Sequence, residues 1–375
     1  MRTVAVWKRA WLPPSETFVR NQLESLRGWQ GIAFGVARID SVLSRDSDRI
    51  LFGDGTRERL SLARFRLTGR SPRVEKFLRS EDVSVVHAHF GSEAVSIWRQ
   101  CRALGIPLVV TLHGHDITAG PRTPGFAGWR YRRRLRKMFG YASAIIAVSE
   151  FIRECAIAWG AEPTKVDVGY VGIPTAFEPS TEAEHGDTWD IAFVGRLSEK
   201  KGVGDLLQAL ADIPDGRDVR VAIVGSGTLE TELRAYAGQQ GLHVDFLGHL
   251  DPAEVRGVLG RARIFVAPSK VAASGDAEGF GLVFLEAALA GRPAIAYRHG
   301  GVPEAVVDGV TGILSDEGDV AALGRAISSL LRDPARIDQM GTAGRNRVLG
   351  EFDVVQRAAH LEEVYEMAVT RQRTQ

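Results

Sequence analysis

The hydrophobic positions of the chain form two kinds of pattern that alternate along its length. Short runs of apolar and β-branched residues read TVAVW, VSVVHAH, IPLVVTLHG and AIIAVS in the first half, and DIAFVG, VRVAIVG, VDFLG, IFVAPS and RPAIAY in the second. The segments between them carry apolar residues at helical spacing. Strands that are apolar throughout are typical of parallel sheets covered by helices on both faces. The pattern therefore predicts an α/β protein with two doubly wound, Rossmann-like domains.

The two sets of strands are separated by a polar stretch, GIPTAFEPSTEAEHGDT at 172–188, which has no apolar period. A length of 375 residues also suits two domains better than one. We predict an N-terminal domain over 1–175, a linker over 176–188 and a C-terminal domain over 189–352. Residues 353–375 are predicted to form an amphipathic helix, and its return to the N-terminal domain is left open. Because ligands bind outside the carboxyl ends of parallel strands, an interdomain cleft is the predicted site.

The composition, with 45% hydrophobic and 25% charged residues, is that of a soluble globular protein. No apolar run reaches the ~18 residues of a membrane-spanning helix, and the first residues lack the long apolar stretch of a signal peptide. We therefore expect a cytoplasmic protein. The two cysteines, Cys101 and Cys155, are too few for a disulfide framework or a metal-ligand cluster, and we interpret both as buried thiols.

Charge is distributed unevenly along the chain. Residues 1–170 hold 27 Lys and Arg against 16 Asp and Glu, whereas the remainder holds 20 against 30. The densest basic segment is GWRYRRRLRKMFG at 128–140, with six cationic side chains. Two interpretations stay open for residues 129–139: contact with an anionic membrane or a pyrophosphate-bearing acceptor, or a solvated helix face. The first would place the protein peripherally on the inner face of the membrane. Nucleic acid is not an expected partner, because no base-reading motif accompanies the segment.

The loop after the predicted strand at 190–194 carries residues suited to a diphosphate. Gly195 permits close backbone approach, and Arg196 and Lys201 add charge-assisted donors before the next predicted helix. Taken alone, the loop could also be a solvent-facing basic turn. A second segment favours the diphosphate.

That second segment is AEGFGLVFLEAALAGRPAIA at 277–296, which follows the strand IFVAPS. We predict a helix over 282–290, whose first free amides, at Phe280, Gly281 and Leu282, can hold phosphate oxygens.

Two acidic side chains of this segment can face the same ligand. Glu286, one turn inside the helix, can accept hydrogen bonds from the two hydroxyls of a ribose, and Glu278, at the mouth of the helix, can meet a sugar. Two glutamates eight positions apart are common on helix surfaces, so the pair gains weight only from the neighbouring basic loop.

Many segments of the chain occur in the order and spacing of a known family. In the second half, over nearly all of 190–366, these are VGRLSEKKG, VAIVGSGTLETELR, VDFLGHL, APS, EGFGLVFLEAALAGRPAIA, GGVPEAVVDGVTGIL and FDVVQRAAHLEEVYE. They resemble retaining family-4 glycosyltransferases of the GT-B fold. In the first half, SETFVRNQLESL, VHAHFG, TLHGHDI and IIAVSEFIRE resemble a branch of that family that builds exopolysaccharides and lipid-linked oligosaccharides.

The resemblance implies an activity: transfer of a sugar from a nucleotide sugar to a glycan or lipid-linked acceptor, with retention of anomeric configuration. The N-terminal domain would bind the acceptor and the C-terminal domain the nucleotide sugar. The resemblance favours UDP as the nucleotide, with GDP next. It implies neither a metal ion nor another cofactor.

The resemblance also implies roles for matched residues. It assigns catalysis to His113, Arg196, Lys201 and Glu278. It assigns donor binding to Gly195, Gly248, His249, Leu250, Phe280, Gly281, Leu282 and Glu286. In this assignment Arg196 and Lys201 hold the diphosphate and stabilise the leaving nucleotide, His113 lies near the sugar, and segment 248–250 approaches the nucleobase through its main chain.

Two loops depart from the family pattern. The first reads WKRAWLPPSETFVRNQ, where many relatives have a glycine pair. We interpret Ser15 as the N-cap of a helix that starts near Glu16, and we assign acceptor contacts to these two residues. The second, KVAASGDA at 270–277, is longer than in the shortest family forms and is a candidate for tuning the identity of the donor sugar.

Alternative functions differ in how well they suit the sequence. The same chemistry on a small natural-product acceptor and a non-catalytic partner with the same fold both stay open, although the intact diphosphate and sugar residues disfavour the second. A nicotinamide-dependent oxidoreductase would need a third glycine in VAIVGSGTLE. The triplet Asp46-Ser47-Asp48 has the lettering of a metal-binding motif but does not follow an apolar strand.

Overall fold

The structure of the protein is a computed structural model that describes residues 1–176 and 188–373, the last of them by its backbone alone. Residues 177–187, which make up nearly all of the predicted linker, lie outside the described residues.

The chain divides into two compact units. The first unit comprises Met1–Pro174 and the C-terminal residues from Val354 onward, and the second comprises Thr175–Asp353. In the described residues each unit has its own parallel sheet, which confirms the predicted α/β class.

The sheet of the first unit is built around apolar, fully buried central strands. In chain order its strands are β1 (Arg2–Trp11), β2 (Trp29–Arg38), β3 (Arg49–Ile50), β4 (Val83–His89), β5 (Leu108–Leu112), β6 (Ala144–Ala147) and β7 (Val166–Val168). Across the sheet they stand, within the described residues, in the order β3-β2-β1-β4-β5-β6-β7. The winding reverses between β1 and β4, which is the point where doubly wound sheets bind ligands.

Helices connect these strands and pack on the sheet. They are α1 (Thr17–Glu24), α2 (Thr56–Thr68), α3 (Pro72–Ser80), α4 (Gly91–Leu104), α5 (Gly125–Tyr141) and α6 (Glu150–Ala158). The α3 helix begins at a proline after Ser71, whose hydroxyl accepts the N–H of Arg73, and Ser149 caps α6 in the same way through the N–H of Ile152.

The second unit repeats the architecture with a smaller sheet. Its strands are β8 (Trp189–Val194), β9 (Arg220–Val224), β10 (His243–Gly248), β11 (Ala262–Val266), β12 (Ala294–Tyr297) and β13 (Gly312–Ser315). In the described part of this unit they stand in the order β10-β9-β8-β11-β12-β13, so the winding reverses between β8 and β11. Its helices are α7 (Val203–Asp212), α8 (Glu230–Gln240), α9 (Pro252–Gly260), α10 (Leu282–Leu289), α11 (Val302–Ala305), α12 (Val320–Leu331) and α13 (Pro334–Glu351).

The last helix, α14 (Val354–Arg373), belongs to the first unit, although the chain has passed through the second unit before it. It contacts α1, β4 and β5. The buried ring of Tyr365 lies 5.3 Å from that of Trp29, and its hydroxyl forms a 2.8 Å hydrogen bond with Nδ1 of His87 in β4. The apolar face of α14 is thus covered by the first sheet.

The Asp46-Ser47-Asp48 triplet has a structural role in the first unit. The carboxylate of Asp48 accepts two hydrogen bonds from Nη2 of the buried Arg20, at 2.9 and 2.7 Å, and Asp46 is exposed. One of the two carboxylates is therefore occupied by a buried ion pair, which explains the metal-motif lettering without a metal.

Two further expectations concern membrane spans and thiols. Within the described residues, no helix combines the length and the apolarity needed to cross a membrane.

Cys101 is buried, but the expectation that Cys155 is buried is wrong. Cys155 lies within α6, next to the buried Ala156, and stays partly exposed.

Candidate active site

The loop that follows β8 is packed against the loop that follows β11. Gly202 has a left-handed φ of +69°, and a Cβ at this position would lie 1.9 Å from the carbonyl oxygen of Pro268. Glycine is therefore required where the chain turns into α7. The N–H of Lys270 also donates to the carbonyl oxygen of Lys200 at 2.8 Å. These contacts hold Lys201 beside the β11 loop.

Lys201 and Glu278 form a direct ion pair. Nζ of Lys201 donates to Oε2 of Glu278 at 2.5 Å, and the two side chains are 25% and 14% exposed. Next to them, Nζ of Lys200 lies 3.1 Å from Oδ2 of Asp276. Burial opposes the ionisation of Glu278, but Lys201 and Lys200 outweigh it and lower the pKa of Glu278 to about 2. Glu278 is therefore a carboxylate at neutral pH.

Arg196 lies in the same loop, after Gly195, and its side chain is exposed. Its guanidinium has no hydrogen-bonding or ion-pair partner among the described residues. Lys200 and Lys201 are thus already engaged by carboxylates, whereas Arg196 is available to an anion.

The backbone of Glu278 is held by residues that sequence reasoning missed. Its N–H donates to Nε2 of His299 at 3.0 Å, and its carbonyl accepts the N–H of Gly301 at 3.0 Å. Because Nε2 accepts, the ring proton of His299 is on Nδ1, which lies 3.4 Å from a carboxylate oxygen of Glu317. Burial lowers the pKa of His299 and keeps its ring neutral. The glycine pair that follows was the sequence signal: Gly300 has a φ of +54°, and a Cβ there would lie 2.3 Å from the Glu278 carbonyl oxygen.

The helix α10 begins directly after Gly281, one residue after a buried aromatic ring. The ring of Phe280 packs 5.6 Å from that of Phe352, so only the backbone of Phe280 is placed to meet a ligand. The N–H groups of Gly281 and Leu282 have no acceptor among the residues that the structure describes. They form the positive end of the helix dipole.

Glu286 lies in the second turn of α10 and is half-buried. Burial raises the pKa of Glu286 to about 7, against the opposing effect of the Arg256 guanidinium. The two acids of the segment therefore differ in charge behaviour, because Glu278 is permanently ionised whereas Glu286 titrates near neutral pH. Such a separation of pKa values is typical of acids with different roles.

The third predicted donor segment follows β10. The carbonyl oxygen of Gly248 accepts the N–H of Gly225 at 2.7 Å, which joins the ends of β9 and β10. The side chain of His249 is exposed and that of Leu250 is half-buried. Because the strands are parallel, this segment lies at the same edge of the sheet as the loops after β8 and β11.

The loop at 270–277 is tied down by ion pairs and hydrogen bonds. Nζ of Lys270 donates to Asp205 at 2.7 Å, and the hydroxyl of Tyr297 donates to the other oxygen of that carboxylate at 3.1 Å. The N–H of Val271 donates to Glu317 at 2.8 Å. These contacts fix the start of the loop, and the ion pair of Asp276 with Lys200 fixes its far end. The role of the loop in choosing the sugar stays a prediction.

In the first unit, His113 follows β5 and is positioned by Asp116. The carboxylate of Asp116 accepts three backbone N–H groups, among them those of His113 at 3.2 Å and Gly114 at 2.9 Å. Nε2 of His113 lies 3.1 Å from Nδ1 of His89. Burial, together with the nearby charge of Lys8, lowers the pKa of His113 well below its usual value. The His113 ring is therefore neutral.

A buried ion pair belongs to the same part of the first unit. The ammonium of Lys8 in β1 pairs with Glu16 and lies 4.2 Å from the centre of the Phe90 ring. The rings of Phe18 and Phe90 stand 4.6 and 4.5 Å from that of His113. Sequence analysis did not predict a site role for Lys8, because Lys8 lies inside a strand, where charged residues are not expected.

The prediction that Ser15 caps a helix starting near Glu16 is wrong. Ser15 lies inside a short 3-10 turn, Pro14–Glu16, and α1 begins at Thr17 with no side-chain cap. Pro14 starts this turn, because its fixed φ suits a first helical position, and thereby displaces the start of the α-helix.

The predicted residues fall into two groups, one in each unit. The second unit holds Gly195, Arg196, Lys201, Gly248, His249, Leu250, Glu278, Phe280, Gly281, Leu282 and Glu286, and the first holds Ser15, Glu16 and His113. Within the second unit, Lys201 and Glu278 are in direct contact although 77 positions separate them in the chain.

Comparison with known proteins identifies the family. The model described as "Glycosyl transferases group 1" matches residues 176–347, and that described as "Glycosyltransferase Family 4" matches residues 35–177. A GDP-mannose-dependent alpha-(1-6)-phosphatidylinositol monomannoside mannosyltransferase of Mycolicibacterium smegmatis is 30% identical over 311 residues, which are 78% of this chain and 78% of that one. The chain belongs to glycosyltransferase family 4.

Two further proteins are similar to this family-4 glycosyltransferase. The amylovoran biosynthesis glycosyltransferase AmsK of Erwinia amylovora is 28% identical over 276 residues, 72% of this chain and 67% of that one. The crystal structure of Anabaena Alr3699/HepE in complex with UDP matches with a TM-score of 0.78 at 21% identity, over 98% of this chain and 100% of that one. The predicted GT-B fold is thereby confirmed.

Replacing Gly300 tests how tightly the Glu278 backbone is held. We expect Gly300→Ala to destabilise the second unit by about 1–3 kcal/mol more than Gly309→Ala, because only the former adds a steric conflict. Gly309 is the matched control, with a φ of +75° and open space around its Cβ position. Urea unfolding midpoints of the two variants measure the difference, and equal losses would contradict the assigned packing.

Proposed function

We propose that this family-4 glycosyltransferase transfers a hexosyl group from a nucleotide sugar to a glycan or lipid-linked acceptor, with retention of anomeric configuration and without a metal ion. The observation that carries the proposal is the Lys201–Glu278 ion pair beside the exposed Arg196, at the carboxyl ends of β8 and β11. Lys201 contacts the Glu278 carboxylate and lies in the same loop as Arg196, which is available to an anion. This arrangement suits the point where a diphosphate is joined to its sugar.

The diphosphate is proposed to bind Arg196, Lys201 and the free N–H groups of Gly281 and Leu282. Charge-assisted donors and a helix N-terminus are the groups that proteins use for phosphate oxygens. As the bond to the nucleotide breaks, negative charge grows on the departing diphosphate, and the fixed cations stabilise that charge electrostatically. This is the function that a divalent metal serves in other transferases.

The transferred sugar is proposed to donate hydroxyl hydrogen bonds to Glu278. The carboxylate is ionised at every pH at which the protein is expected to work, since its pKa is about 2. The backbone of Glu278 is fixed by His299 and Gly301. The two carboxylate oxygens of Glu278 are therefore held in one orientation before the sugar binds.

The chemical step that fits these groups is a same-face displacement. The acceptor hydroxyl oxygen bonds to the anomeric carbon on the face from which the nucleotide leaves. The bond from that carbon to the diphosphate oxygen breaks, its electron pair passes to the diphosphate, and the acceptor proton moves to the same oxygen. Attack and departure on one face retain the anomeric configuration. No covalent intermediate on Glu278 is required.

In the first unit, His113 is proposed to hydrogen-bond a sugar hydroxyl. Its ring is neutral and Nε2 is engaged by His89, which leaves Nδ1 for a ligand. Contacts of the acceptor with Ser15 and Glu16 are also proposed, and the Lys8 ion pair would orient the Glu16 carboxylate.

The nucleotide is proposed to be UDP, with GDP as the alternative. The relatives support both, because the Anabaena structure contains UDP and the Mycolicibacterium enzyme is named as GDP-mannose-dependent. Acceptor proposals rest on the same relatives, one named for a phosphatidylinositol mannoside and one for amylovoran biosynthesis.

Peripheral membrane contact is proposed for one face of α5, within residues 129–139. Trp129 is 48% exposed, stacks with Phe126 at 5.5 Å, and has the guanidinium of Arg133 at 5.5 Å from its ring. Exposed Arg136 and Lys137 continue this face. Aromatic and basic side chains together suit an anionic lipid surface.

A donor screen tests the proposed reaction. The full chain is mixed with UDP-, GDP- and ADP-sugars in the presence of a chelator, and mass spectrometry detects hydrolysis or transfer. We expect one donor to be consumed. Lys201→Ala should lower kcat/KM for that donor by about 10²-fold, because ~3 kcal/mol of transition-state stabilisation is lost.

The control for this variant is Arg325→Ala, which removes an exposed cation from α12 of the same unit and should leave kcat/KM unchanged. Full activity of Lys201→Ala would refute the assigned diphosphate site. Tight nucleotide binding without turnover of any donor would favour a non-catalytic partner.

Glu286 makes nucleotide binding depend on pH. If its carboxylate accepts the ribose hydroxyls, affinity for a nucleotide sugar should rise by up to ~10-fold between about pH 6 and 8 as Glu286 ionises around its pKa of about 7. The effect of pH on folding stability has the opposite sign. Because the pKa of Glu286 is raised in the folded state, its protonated form stabilises the fold. This stabilisation is present at low pH and is lost as the pH rises through about 7. Calorimetric titration of the wild type and the isosteric Glu286→Gln across this pH range checks the affinity, and urea unfolding across the same range checks the stability. An unchanged pH profile in the variant would contradict the role.

Membrane contact predicts salt-sensitive binding to anionic vesicles. Co-sedimentation with vesicles that contain phosphatidylglycerol should weaken as salt rises, since surface charges are screened. Trp129→Ala combined with Arg133→Ala should weaken it further. Binding that is absent, or that does not respond to salt, would remove this part of the proposal.

A further inference from the structure

The first unit contains an open groove of about 730 Å³, and none of the residues assigned above to donor, sugar or acceptor contacts lines it. It lies between α2, α4 and α5 and reaches residues of β1 and β2. Its apolar lining includes Val36, Leu62, Phe65, Val95, Trp98 and Phe126. A concave space of this size is typical of sites that bury a small molecule or a lipid chain.

The groove is also strongly cationic. Arg66, Arg99, Arg130 and Arg134 line it. Glu93, the one acid among the described residues that line the groove, is neutralised by a bidentate ion pair with Arg9, at 3.0 Å for both contacts. The guanidinium groups of Arg66, Arg130 and Arg134 have no hydrogen-bond or ion-pair partner among the described residues.

The arginines repel one another. Burial, and then the charges of Arg130 and Arg99, lower the pKa of Arg134. Like charges held together without a compensating carboxylate form a site that an anion stabilises.

The helical spacing of α5 explains why its basic run is so dense. Arg130 and Arg134 are four positions apart and line the groove, whereas Trp129 and Arg133 lie on the exposed face. The segment therefore has two basic faces, one on the groove and one exposed to solvent, and a solvated basic face does not account for the first of them.

One end of the groove reaches the loop that positions His113. Tyr131 lines the groove, and its hydroxyl donates to the carbonyl oxygen of Asp116 at 2.8 Å. The carboxylate of Asp116 holds the backbone N–H of His113. A ligand lying along the groove would therefore direct one end toward this loop.

We propose that the groove binds one lipid phosphate molecule, with its hydrocarbon chain on the apolar lining and its phosphate on Arg130, Arg134 and Arg99. A purely apolar ligand would leave the arginines uncompensated, and a free phosphate would leave the apolar lining exposed to water. Only a ligand with both parts complements the groove. This inference rests on the proposed function and deepens it, because it names a lipid phosphate as the acceptor class.

Calorimetric titration of the full chain with monomeric decyl phosphate, decanol and inorganic phosphate tests the proposal. We expect decyl phosphate to bind with one-to-one stoichiometry and at least 10-fold more tightly than either part alone. Equal binding of inorganic phosphate, equal binding of decanol, or stoichiometry well above one would overturn the proposal.

Variants separate the two halves of the groove. Arg130→Ala with Arg134→Ala should weaken decyl phosphate binding at least 10-fold, and Leu62→Gln should weaken decyl phosphate but not inorganic phosphate. The matched control is Arg59→Ala with Arg64→Ala, which removes two exposed arginines of α2 that do not line the groove. Equal losses in the control, or no loss in Leu62→Gln, would contradict the groove as the binding site.

The binding measurement is independent of sugar transfer, because it needs no nucleotide sugar. If decyl phosphate binds as expected while no donor is consumed, the groove stands and the transferase proposal fails. If a donor is consumed while decyl phosphate does not bind, the lipid acceptor is wrong and the reaction stands.

Discussion

The ion pair between Lys201 and Glu278 connects the loops that follow two neighbouring strands of the second sheet, β8 and β11. Other features of the candidate site depend on this ion pair. Without the Glu278 carboxylate, no ion pair would hold Lys201 against the β11 loop. Without Lys201, the half-buried Glu278 carboxylate would cost desolvation free energy that no ion pair offsets. Gly202 and Gly300 permit the backbones to approach closely enough for the pair to form. The site is thus assembled by mutual charge compensation as well as by packing.

The same pair separates the electrostatic behaviour of the two acids that flank the start of α10. Glu278 has two lysines nearby and stays ionised, whereas Glu286 is half-buried, with Arg256 as the opposing charge among the described residues, and titrates near neutral pH. A diphosphate between them would lie near the constant negative charge of Glu278 and near Glu286, whose charge depends on pH around neutrality. Because the helix N-terminus and Arg196 supply positive charge at the same edge of the sheet, a diphosphate need not be repelled by the two acids that are proposed to hold its sugars.

Sequence reasoning could predict the elements and the sheet edge at which the candidate residues lie. Fully apolar strands indicated two parallel sheets, and glycines, cations and acids that follow those strands were expected to lie at one edge of the second sheet, as the structure shows. It could not predict the direct contact of Lys201 with Glu278, the support from His299, or the burial of Lys8, because each depends on residues brought together from distant parts of the chain. Ser15 was misplaced for a local reason, since a proline-initiated 3-10 turn competes with the capping geometry. The two faces of α5 follow from helical spacing, but the groove does not, because α2 and α4 form its other walls.

The central claim is that Lys201 and Glu278 act as one unit that joins the diphosphate to the sugar. A double-mutant cycle on kcat/KM for the preferred donor, with Lys201→Ala, Glu278→Gln and the double variant, measures this most directly. The account predicts strong non-additivity, with the double variant little worse than the poorer single one and a coupling of about 2 kcal/mol. Losses that simply add would show that the two residues act independently and would contradict the claim.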